Sequence, residues 1–529
     1  MSASPDSRRW WALGALNLAV LAASLDGTVL VVALPTLARK LHASESDLQW
    51  FSSAYLLMLA ATMLPAGLLG DRYGRKKVLV GALALFGAAS VACAVSPSSE
   101  VFIGARALVG MAGAAVIVMV LSTLTVLFSE EERPKAVGVW AAANFVALPL
   151  GPVLGGWLLS HYWWGLVFLI NVPVVVVGLL ATVALVPESR APRRPGLDPI
   201  GMTVSVAGLV ALTYGLIEAG QHNWIYPTAV APIVAGVICL VSLFAWERWL
   251  SRQQGGAPLL DLTLFRSRSY TWGVILSAVG VLAMMGVLFT LPQYFQGVVG
   301  TDAMGSGLRL LPLVGGLVVS APAAGRLAHA IGANRVVALG FAVLVGGLCA
   351  GAMTTAGSGE AFLAAWTAVL GVGMGLVMAT TTSAALSELP EERSGVGSAV
   401  LQALNKTGGP LGSAVLGSTL SVVYLAHVSA ALTSLPAAAA RSVRQSIFGA
   451  TAVAQRIHSI ALVHVARAAF ADGLDAALLV SAGIAAVGAV LAMVFLPRGR
   501  TIVADARPPE ARPPARKEPV AVPHHLLDG

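Results

Sequence analysis

Long apolar runs, broken by short clusters of charge, proline and glycine, set the pattern of this chain. Residues 10–34 (WWALGALNLAVLAASLDGTVLVVAL) open the pattern, which continues to residue 496. A helix needs about 20 apolar residues to cross the hydrocarbon core of a bilayer. On that criterion the runs predict about fourteen spans. They lie near 10–34, 47–69, 78–95, 101–125, 136–158, 166–186, 200–219, 227–249, 271–292, 305–327, 336–354, 361–387, 395–424 and 474–496. The expected fold class is therefore an all-α polytopic membrane protein. Composition agrees: of 529 residues 57% are hydrophobic and 11% charged, against about 25% charged in soluble domains. The first run is too long for the apolar core of a cleavable signal and lacks a small-residue cleavage site. It is read as a retained span.

Charge sets the orientation. Basic residues gather after even-numbered spans: Arg72, Arg75, Lys76 and Lys77 after the second, Arg133 and Lys135 after the fourth. Arg190, Arg193 and Arg194 follow the sixth, and Arg248, Arg252, Arg266 and Arg268 the eighth. Lys and Arg favour cytoplasmic loops, so that face and both termini are expected inside. The net charge of +8 then reports topology and not nucleic-acid binding. Opposite loops are short, except 425–471, where Arg441, Arg444, Arg456 and Arg467 stand among alanines. That stretch is read as a solvated outer loop in preference to a helix lying on the outer surface. The tail 497–529 is rich in Pro and Arg and is expected to be disordered. Cys93, Cys239 and Cys349 fall in apolar runs and imply no disulfide framework. No phosphate-binding G-x-x-x-x-G-K-[ST] loop occurs and the histidines lack metal-ligand spacing, so neither nucleotide nor cofactor is expected. Ser129-x-x-Glu132 fits a capping box before the fifth span.

An internal repeat divides the chain. AGLLGDRYGRKKV (66–78) matches AGRLAHAIGANRV (324–336) at Gly67/Gly325, Leu69/Leu327, Gly74/Gly332 and Lys77/Arg335. Spans 1–6 (10–186) and 9–14 (251–496) then form two six-helix halves. The segment 187–250 supplies a linker and two inserted helices, and 1–9 is a short cytoplasmic lead. Parallel six-span repeats are a transporter architecture with a midplane site at their interface.

Two isolated charges lie in the apolar runs. Asp26 sits in the first span, where insertion scales charge roughly 2.5–3.5 kcal/mol for a carboxylate. Burial disfavours the charged form of such a group, which suits loading and release of protons. A structural acid bonded to a neighbouring helix is the alternative. Arg106 lies in the fourth span at a depth about one helical turn from Asp26. It either pairs with Asp26 or bonds backbone carbonyls and holds its half together.

Four stretches resemble the major facilitator superfamily, specifically its fourteen-span drug:proton antiporters. They are LDGTVLVVALP (25–35), GLLGDRYGRKK (67–77), RALVG (106–110) and GPVLGG (151–156). FLINVP (168–173), PLLDLTLF (258–265) and residues 397–412 are similar to the same family. The resemblance implies the major facilitator fold, proton coupling at Asp26 with Arg106, and a cytoplasmic latch at Gly67, Asp71, Arg72, Gly74, Arg75 and Lys76. It also implies an antiporter motif at Gly151, Pro152, Gly155 and Gly156, where the fifth span is expected to bend and pack closely against the other half; a kinked packing helix with no directional meaning is the alternative. The family usually carries Gln at Val109, so part of its polar network is missing here. In the repeat, His329 replaces Asp71, which weakens the second latch.

Candidate cavity residues are Asn17, Tyr55, Trp140, Asn144, Phe145, Gln293, Tyr294, Gln296, Gln402, Asn405 and Lys406. Lys406 falls mid-span. Facing a cavity, it would disfavour dicationic cargo; snorkelling to a carbonyl is the alternative. The expected function is proton-coupled export of hydrophobic drugs or antibiotic-like metabolites from a bacterial cytoplasmic membrane. The implied partners are small hydrophobic substrates, protons and the lipid bilayer. Export of one physiological metabolite, or ligand binding without transport, are the rival functions. No catalytic constellation points to an enzyme.

Overall fold

A computed structural model describes residues 5–128, 132–190, 198–222, 226–253, 262–355, 357–387, 391–433 and 435–498. Their regular structure is entirely helical. The first part of the chain forms α1 (Pro5–Lys40), α2 (Glu45–Tyr73), α3 (Arg75–Ala94), α4 (Ser99–Leu127), α5 (Arg133–His161), α6 (Leu166–Leu169) and α7 (Asn171–Leu185). The inserted pair is α8 (Pro199–His222) and α9 (Pro227–Leu250). Then follow α10 (Arg268–Gln293), α11 (Ala303–Arg309), α12 (Leu311–Ile331), α13 (Ala333–Gly351), α14 (Glu360–Leu386), α15 (Glu391–Leu432), α16 (Ala437–Gln445), α17 (Ile447–Arg456) and α18 (Ile460–Phe495). Among the described residues, 13 helical runs are long and apolar enough to cross a membrane. α5, with 29 residues, spans about 43 Å at the helical rise, which is consistent with the fourteenth.

Side-chain caps fix several helix starts. Ser44 and Asp47 bond reciprocally at the start of α2, and Ser98, Ser267, Asp302 and Ser459 each accept from a backbone N–H of the helix they precede. Such caps satisfy donors that the helix leaves open. Ser129 of the expected capping box lies outside the described residues. Glu132 instead meets Arg9 at 2.8 Å, tying the start of α1 to the start of α5.

α1–α7 pack with one another, as do α10–α18, and α8 lies against both α2 and α15. Ser418 Oγ donates to Leu216 O at 2.6 Å and fastens α15 to α8. α9 lies at the perimeter, with Val234, Val237, Ile238, Val241 and Phe244 exposed. An exposed apolar surface of that kind suits lipid.

The 425–471 stretch is not a solvated loop. α15 continues to Leu432, α16 and α17 follow, and α18 already begins at Ile460. Val443, Ile447, Phe448, Ala450, Val453 and Ala466 are buried there. Short amphipathic helices cover the bundle end because each carries one apolar face, which is stable only against other apolar surface. The predicted run 395–424 is the apolar middle of a helix 42 residues long, and 474–496 is the later part of a helix 36 residues long that begins at Ile460. Arg193, Arg194 and the tail from 499 lie outside the described residues.

Candidate functional site

Asp26 is 3% exposed on α1, and Arg106 on α4 is fully buried. The two form an ion pair through Arg106 Nη1 and Asp26 Oδ2. Asp26 Oδ1 accepts from Asn171 Nδ2 at 3.0 Å, from the first residue of α7. Arg106 Nε donates to Phe51 O at 3.3 Å. Its guanidinium stands 4.5 Å from the centre of the Tyr55 ring, within cation–π range. The Tyr55 hydroxyl donates to Ala23 O at 2.8 Å. Both alternatives for Arg106 therefore hold at once: it pairs with Asp26 and it bonds a carbonyl.

Local sequence explains the convergence. Gly110 of α4 lies against the Tyr55 carbonyl with no room for a Cβ, so α2 and α4 approach closely. Arg106, one turn earlier, is thereby brought over Tyr55. Buried charges persist only when paired and hydrogen-bonded; here Arg106 Nη2 has no partner among the described residues. A pocket of about 140 Å³ between α1, α5 and α7 reaches Asp26 and Asn171. Its other walls are apolar, among them Leu25, Val29, Leu154 and Val167.

The Gly67–Lys76 element is built around a turn. Gly74 has φ +117°, a region that favours glycine. Arg75 Nη2 donates to Asp71 Oδ1 at 3.0 Å and Arg75 N to Ser189 O at 2.9 Å. Lys76 Nζ donates to Val183 O at 2.8 Å. Among the described residues these bonds stay within the first half and the start of the linker that follows it. In the repeat, Gly332 has φ +95° at the equivalent turn, and no ion pair replaces Asp71–Arg75 among the described residues.

The glycines of Gly151–Gly156 act by packing. Gly151 lies against Thr28 and Gly155 against Val29 of α1. A Cβ on Gly156 would stand 2.7 Å from Ala303 O and Met304 Cα at α11, across the boundary between the halves. α5 runs unbroken through Pro152. The same seam holds Ser160 Oγ donating to Asp302 Oδ2 at 3.2 Å and Gln296 Nε2 donating to Val32 O at 3.1 Å. Gln293 Nε2 donates to Glu45 Oε1 at 3.3 Å. These contacts join the halves at the bundle end away from the termini.

The other cavity candidates do not gather around Asp26. Asn17 is buried, and its two amide atoms have no partner among the described residues. The Tyr294 hydroxyl donates to Thr355 O at 2.7 Å within the second half. Gln402 is exposed, Asn405 buried and Lys406 half-buried on α15. The side chains of Trp140, Asn144 and Phe145 lie outside the described residues. Sequence reasoning missed Asn171 and Glu45. The signal for Asn171 was present, a lone amide in the apolar run FLINVP.

The family model described as Major Facilitator Superfamily matches residues 16–413. The chain belongs to the major facilitator superfamily. It is 32% identical over 502 residues to the multidrug efflux pump LfrA of Mycolicibacterium smegmatis, covering 91% of this chain and 96% of that one. It is 32% identical over 411 residues to the tetracenomycin C resistance and export protein of Streptomyces glaucescens, covering 78% and 76%. In fold it is similar to a bacterial homologue of the human lysosomal transporter Spinster in an inward-facing, unoccupied conformation. The TM-score is 0.66 at 16% identity, covering 92% of this chain and 98% of that one. The all-helical major facilitator fold expected from the sequence is the fold observed.

Proposed function

We propose that this major facilitator protein exports hydrophobic, drug-like or antibiotic-like compounds across a bacterial cytoplasmic membrane in exchange for protons. The observation that carries the reading is the lone carboxylate Asp26, buried in a span and held by Arg106 and Asn171. Paired with Arg106 and bonded by Asn171, the Asp26 carboxylate has its charge matched and its oxygens occupied. Cargo arrival, or a rotation of α4 that draws Arg106 away, leaves a desolvated carboxylate that takes up a proton. Re-forming the pair releases it. One charge moved through 100 mV yields about 2.3 kcal/mol, enough for roughly a fifty-fold cargo gradient. The efflux and resistance roles in the names of its relatives support the cargo class.

The face bearing the termini is taken as cytoplasmic, following the basic residues. Polar contacts join the halves at the other end, and the Gly67–Lys76 element bonds its own half and the start of the linker, with no bond to the second half among the described residues. Both features support a state open to the cytoplasm, ready to load.

Proteoliposomes with an imposed pH gradient test the proposal, using cationic, neutral and anionic drugs on wild type and Asp26→Asn. Drug-triggered proton movement lost in the variant is expected. Proton movement that survives the substitution would place coupling elsewhere. Silence with every drug would favour a single-metabolite exporter or a non-transporting receptor.

A further inference from the structure

At the bundle end away from the termini, α16 and α17 roof a cavity of about 450 Å³. It lies between the start of α2, the last turns of α15 and Phe470 of α18. Small-molecule sites occupy about 300–1,000 Å³. Glu45, 7% exposed, lines this one. Glu45 Oε1 accepts from Gln293, while Oε2 has no bond among the described residues. Ser429, exposed on α15, lines the same cavity. A buried carboxylate left half-bonded, as Glu45 is, is costly unless something completes it. Leu420, Leu425 and Phe470 supply apolar wall. Arg441 and Arg444 are exposed at the mouth, where water and salt screen their charge.

We infer that this cavity is a binding site, separate from the Asp26 cluster, for an amphipathic organic ammonium ion. The ammonium donates to Glu45 Oε2, and the apolar body rests on Leu420, Leu425 and Phe470. A lipid amine headgroup and a soluble amine share this chemistry.

The test uses the full chain in nanodiscs of phosphatidylglycerol, with Ser429→Cys as reporter and Cys239→Ser and Cys349→Ser to remove competing thiols. Cys93 is fully buried and stays. Methanethiosulfonate reagents bearing an ammonium or a sulfonate modify the thiol. The ammonium reagent is expected to react about tenfold faster, as a charged cleft enriches its counter-ion. Glu45→Gln should erase that preference, and Glu45→Asp should keep most of it, which separates lost charge from lost folding. Decylammonium should protect the thiol and decyl sulfonate should not. Protection that instead needs phosphatidylethanolamine in the disc identifies the occupant as a lipid amine. Equal rates unaffected by Glu45→Gln, equal protection by both amphiphiles, or a thiol that neither reagent reaches would each overturn the inference.

Discussion

Removing one partner of a buried ion pair leaves the other charged and desolvated. Asp26→Asn does this to Arg106, so the variant is expected to lose about 3–5 kcal/mol of stability. Adding Arg106→Gln should restore part of the loss, because the orphan charge is then gone. Thermal unfolding of both singles and the double in detergent gives the coupling directly; additive losses would mean that the pair does not form in the folded protein. Asn171→Leu removes one bond to the carboxylate and is expected to cost about 1–3 kcal/mol. It should also reduce drug-triggered proton movement without abolishing it, read in the same proteoliposomes. At this scale the sequence exposed the two charges, since each stood alone in an apolar run. Their shared depth hinted at the pairing. Asn171 escaped notice because an amide costs less to bury than a charge and so stands out less. Which face it presents depends on how α7 packs, and periodicity in one helix does not encode that.

Helices were legible where length decided the matter. A 20-residue apolar run has few options in a bilayer, and each predicted run overlaps an observed helix, although 336–354 passes the end of α13 at Gly351 and 166–186 and 305–327 each take in two helices. The stretch 425–471 was not legible in that way. α16 (AAAARSVRQ) is too short and too polar to look like a span, and its helicity depends on a neighbour that buries Val443. The packing of α5 on α11 was expected from Gly151–Gly156, and one position can test it. The Cβ of Gly156→Ala would press on backbone atoms of Ala303 and Met304, which cannot rotate aside. Overpacking of this kind costs about 1–3 kcal/mol, borne only while the halves are joined there. The substitution should therefore shift the population toward opening at that end. Spin labels at His161 and Leu308, both exposed, should report a longer distance than in the wild type. An unchanged distance would mean that the α5–α11 contact does not limit the closed arrangement.

For the whole molecule, the repeat predicted two related halves, and the matched turns at Gly74 and Gly332 share a positive φ. The end at which the halves meet was not predictable, because one sequence must be compatible with both arrangements of an alternating cycle. Two packings that differ by a few kcal/mol leave no separate mark on hydrophobic pattern. The joined end offers a direct test of that cycle. Ser160 and Asp302 face each other across the halves, 3.2 Å apart at their side-chain oxygens. Replacing both by cysteine and oxidising should bridge α5 to α11 and hold that end shut. Export then stops, because cargo loaded from the terminus-bearing side has no exit, and a reductant should restore it. Drug binding should survive the cross-link, since the opposite end stays accessible. Asp302→Cys alone controls for loss of the α11 cap, which costs about 0.5–2 kcal/mol by itself. Transport that continues through a complete cross-link would mean that cargo leaves without separation of the halves at this seam, and two-sided alternation would have to be abandoned for this protein.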